Sequence, residues 1–262
     1  MITVGIDIGS VTTKVVVLER FNSEAKVLSQ EISLTGADPK LVAQQLLTKA
    51  LTKVNLTKED LEYIVSTGYG RRIIEFGDKT VTEITCCAKG SVWIAKQHKF
   101  PTIHTIIDLG GQDTKIISVD ETGNVVDFVM NDKCAAGTGR FLEVIANVLQ
   151  VRLDDLEELF FKSTELIQLN STCTVFVETE VISLIAQGKK KEDIVAGVLR
   201  AIAERVVNMV RQVSQKEGIF FCGGGAKNKA LHRILEEKLD KKIFVPCEPQ
   251  FVVALGAALY KS

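Results

Sequence analysis

The sequence contains few of the residues and segments that mark particular classes of protein. Its 262 residues include only four prolines, three histidines and one tryptophan, and the net charge is −1. A charge this close to zero gives no electrostatic basis for binding nucleic acid or a membrane surface. No apolar run is long enough to cross a bilayer, and the first residues lack the basic and long apolar regions of a signal peptide. A cytoplasmic protein is therefore expected.

Cysteine is also scarce, with six in the chain. They are too sparse for a disulfide scaffold, and a cytoplasmic setting would keep them reduced. No Cys-x-x-Cys pair occurs, which argues against a zinc ribbon or a thioredoxin-like site. The six positions are Cys86, Cys87, Cys134, Cys173, Cys222 and Cys247.

What the chain does contain is a repeated turn. Residues 7–18 and 108–119 share Asp, Gly, Thr and Lys at matching places, and an apolar segment precedes each (2–6 and 103–107). Each copy predicts a strand, a tight glycine turn and a returning strand. Two copies indicate duplicated α/β domains that face each other across a nucleotide cleft.

We expect the first domain to cover residues 1–103 and the second to cover 104–248, with a C-terminal helix within 249–262 that packs back onto the first. Residues 39–54 predict a helix, because Asp38 can cap it and Pro39 suits its first turn. Further strands are predicted at 26–34, 61–66, 124–130, 219–222 and 243–245. Further helices are predicted at 83–96, 138–149, 153–161, 175–187, 191–214, 227–239 and 250–260.

A glycine turn between strands lets backbone N–H groups approach a phosphate without a Cβ clash. Hydroxyl groups in the first turn add donors, and Lys14 can add positive charge. An Asp-x-Gly sequence also marks ordinary hairpins, but two aligned copies favour the phosphate interpretation. The candidate phosphate-binding residues are Gly9, Ser10, Val11, Thr12, Thr13, Lys14, Gly110, Gly111 and Gln112.

Two carboxylates are the candidate magnesium ligands. Asp7 and Asp108 stand at the ends of predicted strands, where Mg²⁺ could take one or two protein oxygens plus phosphate. Gln112 or Asp113 could orient a water for attack on a terminal phosphate. We therefore assign catalysis to Asp108, Gln112 and Asp7.

A third segment, residues 220–228, runs from an apolar strand through three glycines towards a helix. Such a turn lets the backbone approach a base and ribose closely. A triple glycine is also found in ordinary strand-to-helix turns. Its position after two Asp-Gly turns favours the interpretation that this segment binds nucleotide. The candidate residues are Gly223, Gly224, Gly225 and Asn228.

Cys134 and Cys173 each precede a periodic apolar run, which places each near a predicted helix N-terminus. The free N–H groups and the helix dipole there would stabilise thiolates or an anionic cluster. One chain supplies two such thiolates, an iron–sulfur cluster usually takes four, and a symmetric dimer would supply them. The alternative is that both cysteines are small buried apolar residues.

The three glycine segments, in this order, resemble the phosphate-one, phosphate-two and adenosine motifs of the actin, sugar-kinase and heat-shock-chaperone ATPases, whose domains have a ribonuclease H-like fold. Residues 131–141 and 171–176 narrow the resemblance to the activators (component A) of the 2-hydroxyacyl-CoA dehydratases and the ATPase subunits of benzoyl-CoA reductase. The resemblance spans the chain, including residues 67–71 and 254–260.

The resemblance implies a homodimer with one 4Fe-4S cluster, held by Cys134 and Cys173 of each subunit. It implies that ATP binding and hydrolysis to ADP, with Mg²⁺, drive one low-potential electron into an acyl-CoA dehydratase or reductase under anaerobic conditions. The donor would be ferredoxin or flavodoxin. Two positions depart from the pattern: Cys87 replaces a frequent histidine, and Cys222 replaces a small hydroxyl residue. We expect Cys86, Cys222 and Cys247 to pack in the core.

Two other functions remain open at this point. A small-molecule kinase of the same superfamily would need a catalytic aspartate, a role that Asp132 could take, and would contain no iron. A nucleotide-dependent scaffold would bind ATP but show neither turnover nor iron.

Overall fold

The computed structural model describes residues 1–21, 24–132, 137–169, 174–213 and 216–260. The chain forms two compact units. The first comprises Met1–Ile103, Val119–Val126 and Pro246–Ser262, and the second comprises His104–Ser118 and Asp127–Val245. Among the described residues, no helix combines the length and apolar character needed to span a membrane.

The strands and helices of the first unit follow one another in a βββαββα pattern. Among the described residues, the second unit also begins with three strands, which four helices follow. In chain order they are β1 (Ile2–Ile8), β2 (Thr12–Phe21), β3 (Glu24–Leu34), α1 (Pro39–Thr52), β4 (Leu61–Thr67), β5 (Lys79–Thr80), α2 (Glu83–Gln97), β6 (Thr105–Leu109), β7 (Thr114–Val119), β8 (Val125–Asn131), α3 (Gly139–Leu149), α4 (Asp155–Lys162), α5 (Thr174–Ala186), α6 (Lys191–Val213), β9 (Ile219–Cys222), α7 (Lys229–Leu239), β10 (Ile243–Phe244) and α8 (Val252–Ala258). Short 3₁₀ turns cover Lys58–Asp60 and Gly224–Lys227.

The first unit is built on a five-stranded sheet of order β3-β2-β1-β4-β5. Strands β1, β2 and β3 form an antiparallel meander, whereas β4 runs parallel to β1. Helix α1 covers one face with the apolar side chains of Leu46, Leu47 and Leu51. The central strand β1 is buried along almost its whole length, as expected of a strand covered on both faces.

The other side of this sheet carries α8, which lies against β1 and α2. Small residues make this packing unusually close. A Cβ placed on Gly256 would lie 1.7 Å from the carbonyl oxygen of Cys86, and one on Gly5 would lie 1.9 Å from that of Ala254. Thr3 Oγ1 adds a hydrogen bond of 2.8 Å to the carbonyl oxygen of Ala258. Any larger residue at Gly5 or Gly256 would therefore force the backbones apart.

The second unit repeats the arrangement with a sheet of order β10-β9-β6-β7-β8. Strand β7 is antiparallel to β6, and β9 is parallel to β6. Its apolar core joins Ile107 and Phe221 of the sheet to α3, α4, α6 and α7. Helix α6 is the centre of this layer, since thirteen of its residues are buried.

The predicted α/β fold with two duplicated units is confirmed, and the boundaries of the predicted elements lie close to the observed ones. The differences have local causes. Strand β5 was missed because a two-residue strand leaves no periodic pattern. Helix α7 begins at Lys229 rather than at 227, because the 3₁₀ turn occupies Gly224–Lys227. The last helix is shorter than predicted, covering Val252–Ala258.

Candidate functional site

The first glycine turn joins β1 to β2. The amide of Gly9 donates to the carbonyl oxygen of Thr12 at 3.1 Å, and the hydroxyl of Thr35 donates to the carbonyl oxygen of Gly9 at 2.7 Å. At the end of β1, Lys14 Nζ lies 3.1 Å from Asp7 Oδ2, with both side chains largely buried. The lysine that we predicted as a phosphate ligand thus forms an ion pair with the predicted metal ligand.

The second turn has the same backbone and a different set of charges. The amide of Gly110 donates to the carbonyl oxygen of Asp113 at 2.9 Å, and the carbonyl oxygen of Gly110 accepts from the amide of Gly139 at 2.9 Å. Lys115 Nζ lies 2.7 Å from Asp113 Oδ1 and 3.6 Å from Asp108 Oδ2. Two carboxylates therefore share one lysine in this turn.

Each aspartate is flanked by a glycine on the neighbouring parallel strand. Gly68 follows β4 with φ +87° and Gly223 follows β9 with φ +84°. A Cβ on Gly68 would lie 2.4 Å from Asp7 Oδ1, and one on Gly223 would lie 2.6 Å from Asp108 Oδ1. Both positions thus need glycine for its backbone conformation and for the close approach of the carboxylate. Sequence reasoning missed Gly68 as the counterpart of Gly223; the signal was the Gly-x-Gly shared by residues 68–70 and 223–225.

The second glycine of each Gly-x-Gly pair is also structural. A Cβ on Gly70 would lie 2.4 Å from Ile8 Cγ2, and one on Gly225 would lie 2.4 Å from Leu109 Cδ2. The residue between them differs, because the first unit has Tyr69, which is 85% exposed, and the second has Gly224, also exposed. The first unit thus accepts a large side chain at its middle position.

The remaining predicted nucleotide residue, Asn228, has a local structural role. Its side-chain oxygen accepts from the amide of Leu231 at 3.0 Å and caps α7. Gln112 is exposed at the tip of the second turn. The structure therefore places the predicted residues of each unit at the strand ends, in the turns and at the start of α7.

The predicted cluster ligands Cys134 and Cys173 lie outside the described residues. The neighbouring helices are described, and α5 begins at Thr174, directly after Cys173. Among residues with described positions, no group of three or more histidine, cysteine, aspartate or glutamate side chains could hold a metal ion. A Mg²⁺ ion at Asp7 or Asp108 would therefore complete its shell with water and phosphate, as it commonly does.

The other four cysteines divide into two kinds. Cys86, Cys87 and Cys222 are buried, and burial raises the pKa of the Cys86 thiol to about 12. The prediction of core packing is confirmed for Cys86 and Cys222. It is wrong for Cys247, which is exposed in the connection between β10 and α8.

Two mixed sheets, each with an Asp-Gly turn at the end of its central strand, give the chain a duplicated, actin-like α/β fold. Residues 4–261 match the BadF/BadG/BcrA/BcrD ATPase family, and the chain belongs to that family.

Individual proteins resemble this chain along nearly its whole length. The chain is 41% identical to a 2-hydroxyisocaproyl-CoA dehydratase activator of Clostridioides difficile, over 99% of this chain and 94% of the relative. It is 41% identical to the (R)-2-hydroxyglutaryl-CoA dehydratase activating ATPase of Acidaminococcus fermentans, over 98% and 96%. Among solved structures, the activator of the 2-hydroxyisocaproyl-CoA dehydratase from Clostridium difficile with bound ADPNP is similar, with a TM-score of 0.90, 40% identity, and coverage of 99% of this chain and 94% of that one.

Proposed function

We propose that this protein is an ATP-dependent reductive activator, which uses ATP hydrolysis to deliver one low-potential electron to a 2-hydroxyacyl-CoA dehydratase or a related acyl-CoA reductase. The observation that carries the proposal is the likeness to two dehydratase activators at 41% identity along nearly the whole of each chain. A likeness of that extent covers the turns, the helices and both cysteine segments together.

The nucleotide assignment follows from the turns. Phosphates bind at residues 10–13 and 110–112, which lie at the strand ends and are exposed or half-buried except for the buried Thr13. Adenosine binds near residues 223–225, and the open position at Gly224 lets a base approach the backbone. The solved structure of a similar protein with bound ADPNP supports the proposal that this chain binds a nucleotide.

Hydrolysis is assigned to the second turn. Asp108, with Asp7 as a further carboxylate, would hold a hydrated Mg²⁺ that neutralises phosphate charge, and Gln112 or Asp113 would orient the attacking water. Support comes from the number of carboxylates, because Lys115 contacts both Asp108 and Asp113 whereas Lys14 contacts Asp7. Two neighbouring carboxylates offer Mg²⁺ more of the oxygen ligands that it prefers.

The iron site is assigned to Cys134 and Cys173 of two subunits, which together provide four thiolates for one 4Fe-4S cluster. Such a cluster supplies one-electron redox chemistry at low potential when it is bound. The donor type fits, since thiolates are the usual ligands of such a cluster. The electron would come from a ferredoxin or flavodoxin, and the protein would work under anaerobic conditions.

Anaerobic purification tests this function. We expect a brown dimer with about two irons per chain, because one four-iron cluster is shared by two subunits. Cys134→Ser and Cys173→Ser should each lose the iron and still bind ATP. Cys247→Ser is the matched control, because this cysteine is exposed and lies far along the chain from both segments; it should keep the iron.

Two results would contradict the proposal. An iron-free dimer with full ATPase activity after anaerobic reconstitution would contradict the proposed role in electron transfer. Phosphorylation of a small-molecule acceptor by that iron-free protein would establish a kinase instead.

A further inference from the structure

The second unit contains a recess that belongs neither to the glycine turns nor to the cysteine segments. It has a volume of about 200 Å³ and is lined mainly by side chains of α4, α6 and α7. Its principal side chains are Phe160 and Phe161 of α4, Arg200 of α6, and Arg233 and Glu237 of α7.

The charges in this recess are unequal. Arg233 Nε donates to Glu237 Oε1 at 2.9 Å, so that arginine is neutralised. Arg200 forms no ion pair with a described residue, and its buried Nε atom has no acceptor among them. A buried donor without an acceptor costs about 1–3 kcal/mol, and more when the group is charged. Within the part of the chain that the structure describes, the recess therefore contains one arginine without an ion pair and with an unsatisfied buried donor.

The acidic side chains with described positions on the surrounding helices form no ion pair with Arg200. Asp193 of α6 instead accepts hydrogen bonds from Ser163 and from the amides of Thr164 and Glu165. On α4, Glu157 pairs with Lys229 and Glu158 pairs with Lys162. On α6, Glu204 pairs with Lys238 of α7. An acceptor for Arg200 must therefore come from elsewhere.

Aromatic rings hold both guanidinium groups. Arg200 Cζ lies 5.7 Å from the ring centroid of Phe160, and Arg233 Cζ lies 5.8 Å from that of Phe161. The two rings contact each other edge to face, with centroids 5.2 Å apart. A guanidinium over a ring keeps its planar donors for a bidentate contact with an anion. The half-exposed Phe161 adds accessible apolar surface beside the buried Phe160.

We propose that this recess binds a small organic carboxylate, with the carboxylate on Arg200 and a short apolar body against Phe160 and Phe161. The single uncompensated charge matches a monoanion, whereas a phosphate dianion would also face Glu237. The volume of about 200 Å³ limits the ligand to an acid of a few carbons.

The site is tested by titrating the full-length protein with sodium butyrate at constant ionic strength. Calorimetry or NMR detects the binding. We expect saturable binding, and weaker binding of butyramide, which has the same shape without the charge. Arg200→Gln should weaken butyrate binding about tenfold or more, because it removes a charge-assisted hydrogen bond. Arg200→Lys should also lose affinity, since lysine keeps the charge but not the planar pair of donors.

Arg211→Gln is the matched control, because Arg211 is an exposed arginine of the same helix outside the recess. This variant should bind butyrate with the affinity of the wild type. Thermal unfolding midpoints verify that each variant is folded. The proposal is overturned by an absence of saturable butyrate binding, by butyramide or inorganic phosphate binding as tightly as butyrate, or by unchanged affinity in folded Arg200→Gln.

Discussion

The two Asp-Gly turns share a backbone and differ in chemistry. Both close with a hydrogen bond from the glycine amide to a carbonyl oxygen three residues on, and both place an aspartate beside a lysine. The first turn adds hydroxyl groups at Ser10 and Thr12, whereas the second adds a second carboxylate at Asp113. The two copies therefore share the hairpin geometry, while one turn carries hydroxyl donors where the other carries a carboxylate.

The largest expected effect concerns this difference. Asp108→Asn should reduce ATP turnover by about 10²- to 10⁴-fold, because the proposed metal ligand becomes a neutral amide. Its thermal stability should change little, since Lys115 keeps its 2.7 Å contact with Asp113. Steady-state phosphate release and thermal unfolding measure the two quantities.

Asp7→Asn is the matched variant in the first unit. It removes the carboxylate that pairs with the largely buried Lys14, and breaking a buried pair in this way costs about 3–5 kcal/mol. We expect a clear loss of thermal stability here, larger than in Asp108→Asn. If Asp108→Asn turns over ATP at the wild-type rate, the essential carboxylate lies elsewhere, with Asp7 the next candidate.

A smaller effect is expected at the middle of the Gly-x-Gly pairs. Gly224→Val should weaken ATP binding about tenfold, which corresponds to ~1.4 kcal/mol, because a side chain would stand where the adenosine approaches. The unfolding midpoint should stay near that of the wild type, since the first unit holds Tyr69 at the matching position. Equilibrium binding of ATP checks this.

Gly225→Val is the informative companion, because a Cβ at this position would lie 2.4 Å from Leu109 Cδ2. It should destabilise the protein whether or not nucleotide is present. Unchanged ATP affinity in folded Gly224→Val would remove the adenosine assignment.

The smallest expected effect compares one buried carboxylate from each unit. Burial raises the pKa of Glu31, but hydrogen bonds and charges from Lys49 and Lys53 outweigh it, so the pKa is lowered. The pKa of Asp193 is lowered by the amides of Glu165 and Thr164, with a further bond from Ser163. Both groups thus favour the charged form in the folded state, the first through ions and the second through backbone donors.

A lowered folded-state pKa gives stability that is complete above the ordinary carboxyl pKa of about 4 and disappears as the pH falls through the lowered value. We expect Glu31→Gln and Asp193→Asn to melt below the wild type at pH 7, with the difference shrinking below about pH 4. Added salt should reduce the effect of Glu31→Gln and leave that of Asp193→Asn, because Lys49 and Lys53 are exposed and screened. Equal salt dependence of the two variants would contradict this distinction.

Much of the fold was predictable because its signals are local. The alternation of apolar residues, the cap at Asp38 and the glycine turns depend on neighbours in sequence, and the elements formed where they were expected. The details of the site depend on distant residues. The approach of Gly68 to Asp7 requires the parallel pairing of β4 with β1, and the exposure of Cys247 depends on how the chain leaves β10. The assigned roles of the site residues stay predictions.

The close packing of α8 against β1 and α2 has a consequence for the order of assembly during synthesis. The first unit begins at β1, but its core includes α8, which follows the whole of the second unit along the chain. A ribosome therefore releases residues 104–245 before the first unit can close. The first unit is therefore completed last. One face of its sheet stays uncovered until α8 has been synthesised, whereas the second unit by then has all of its strands and helices.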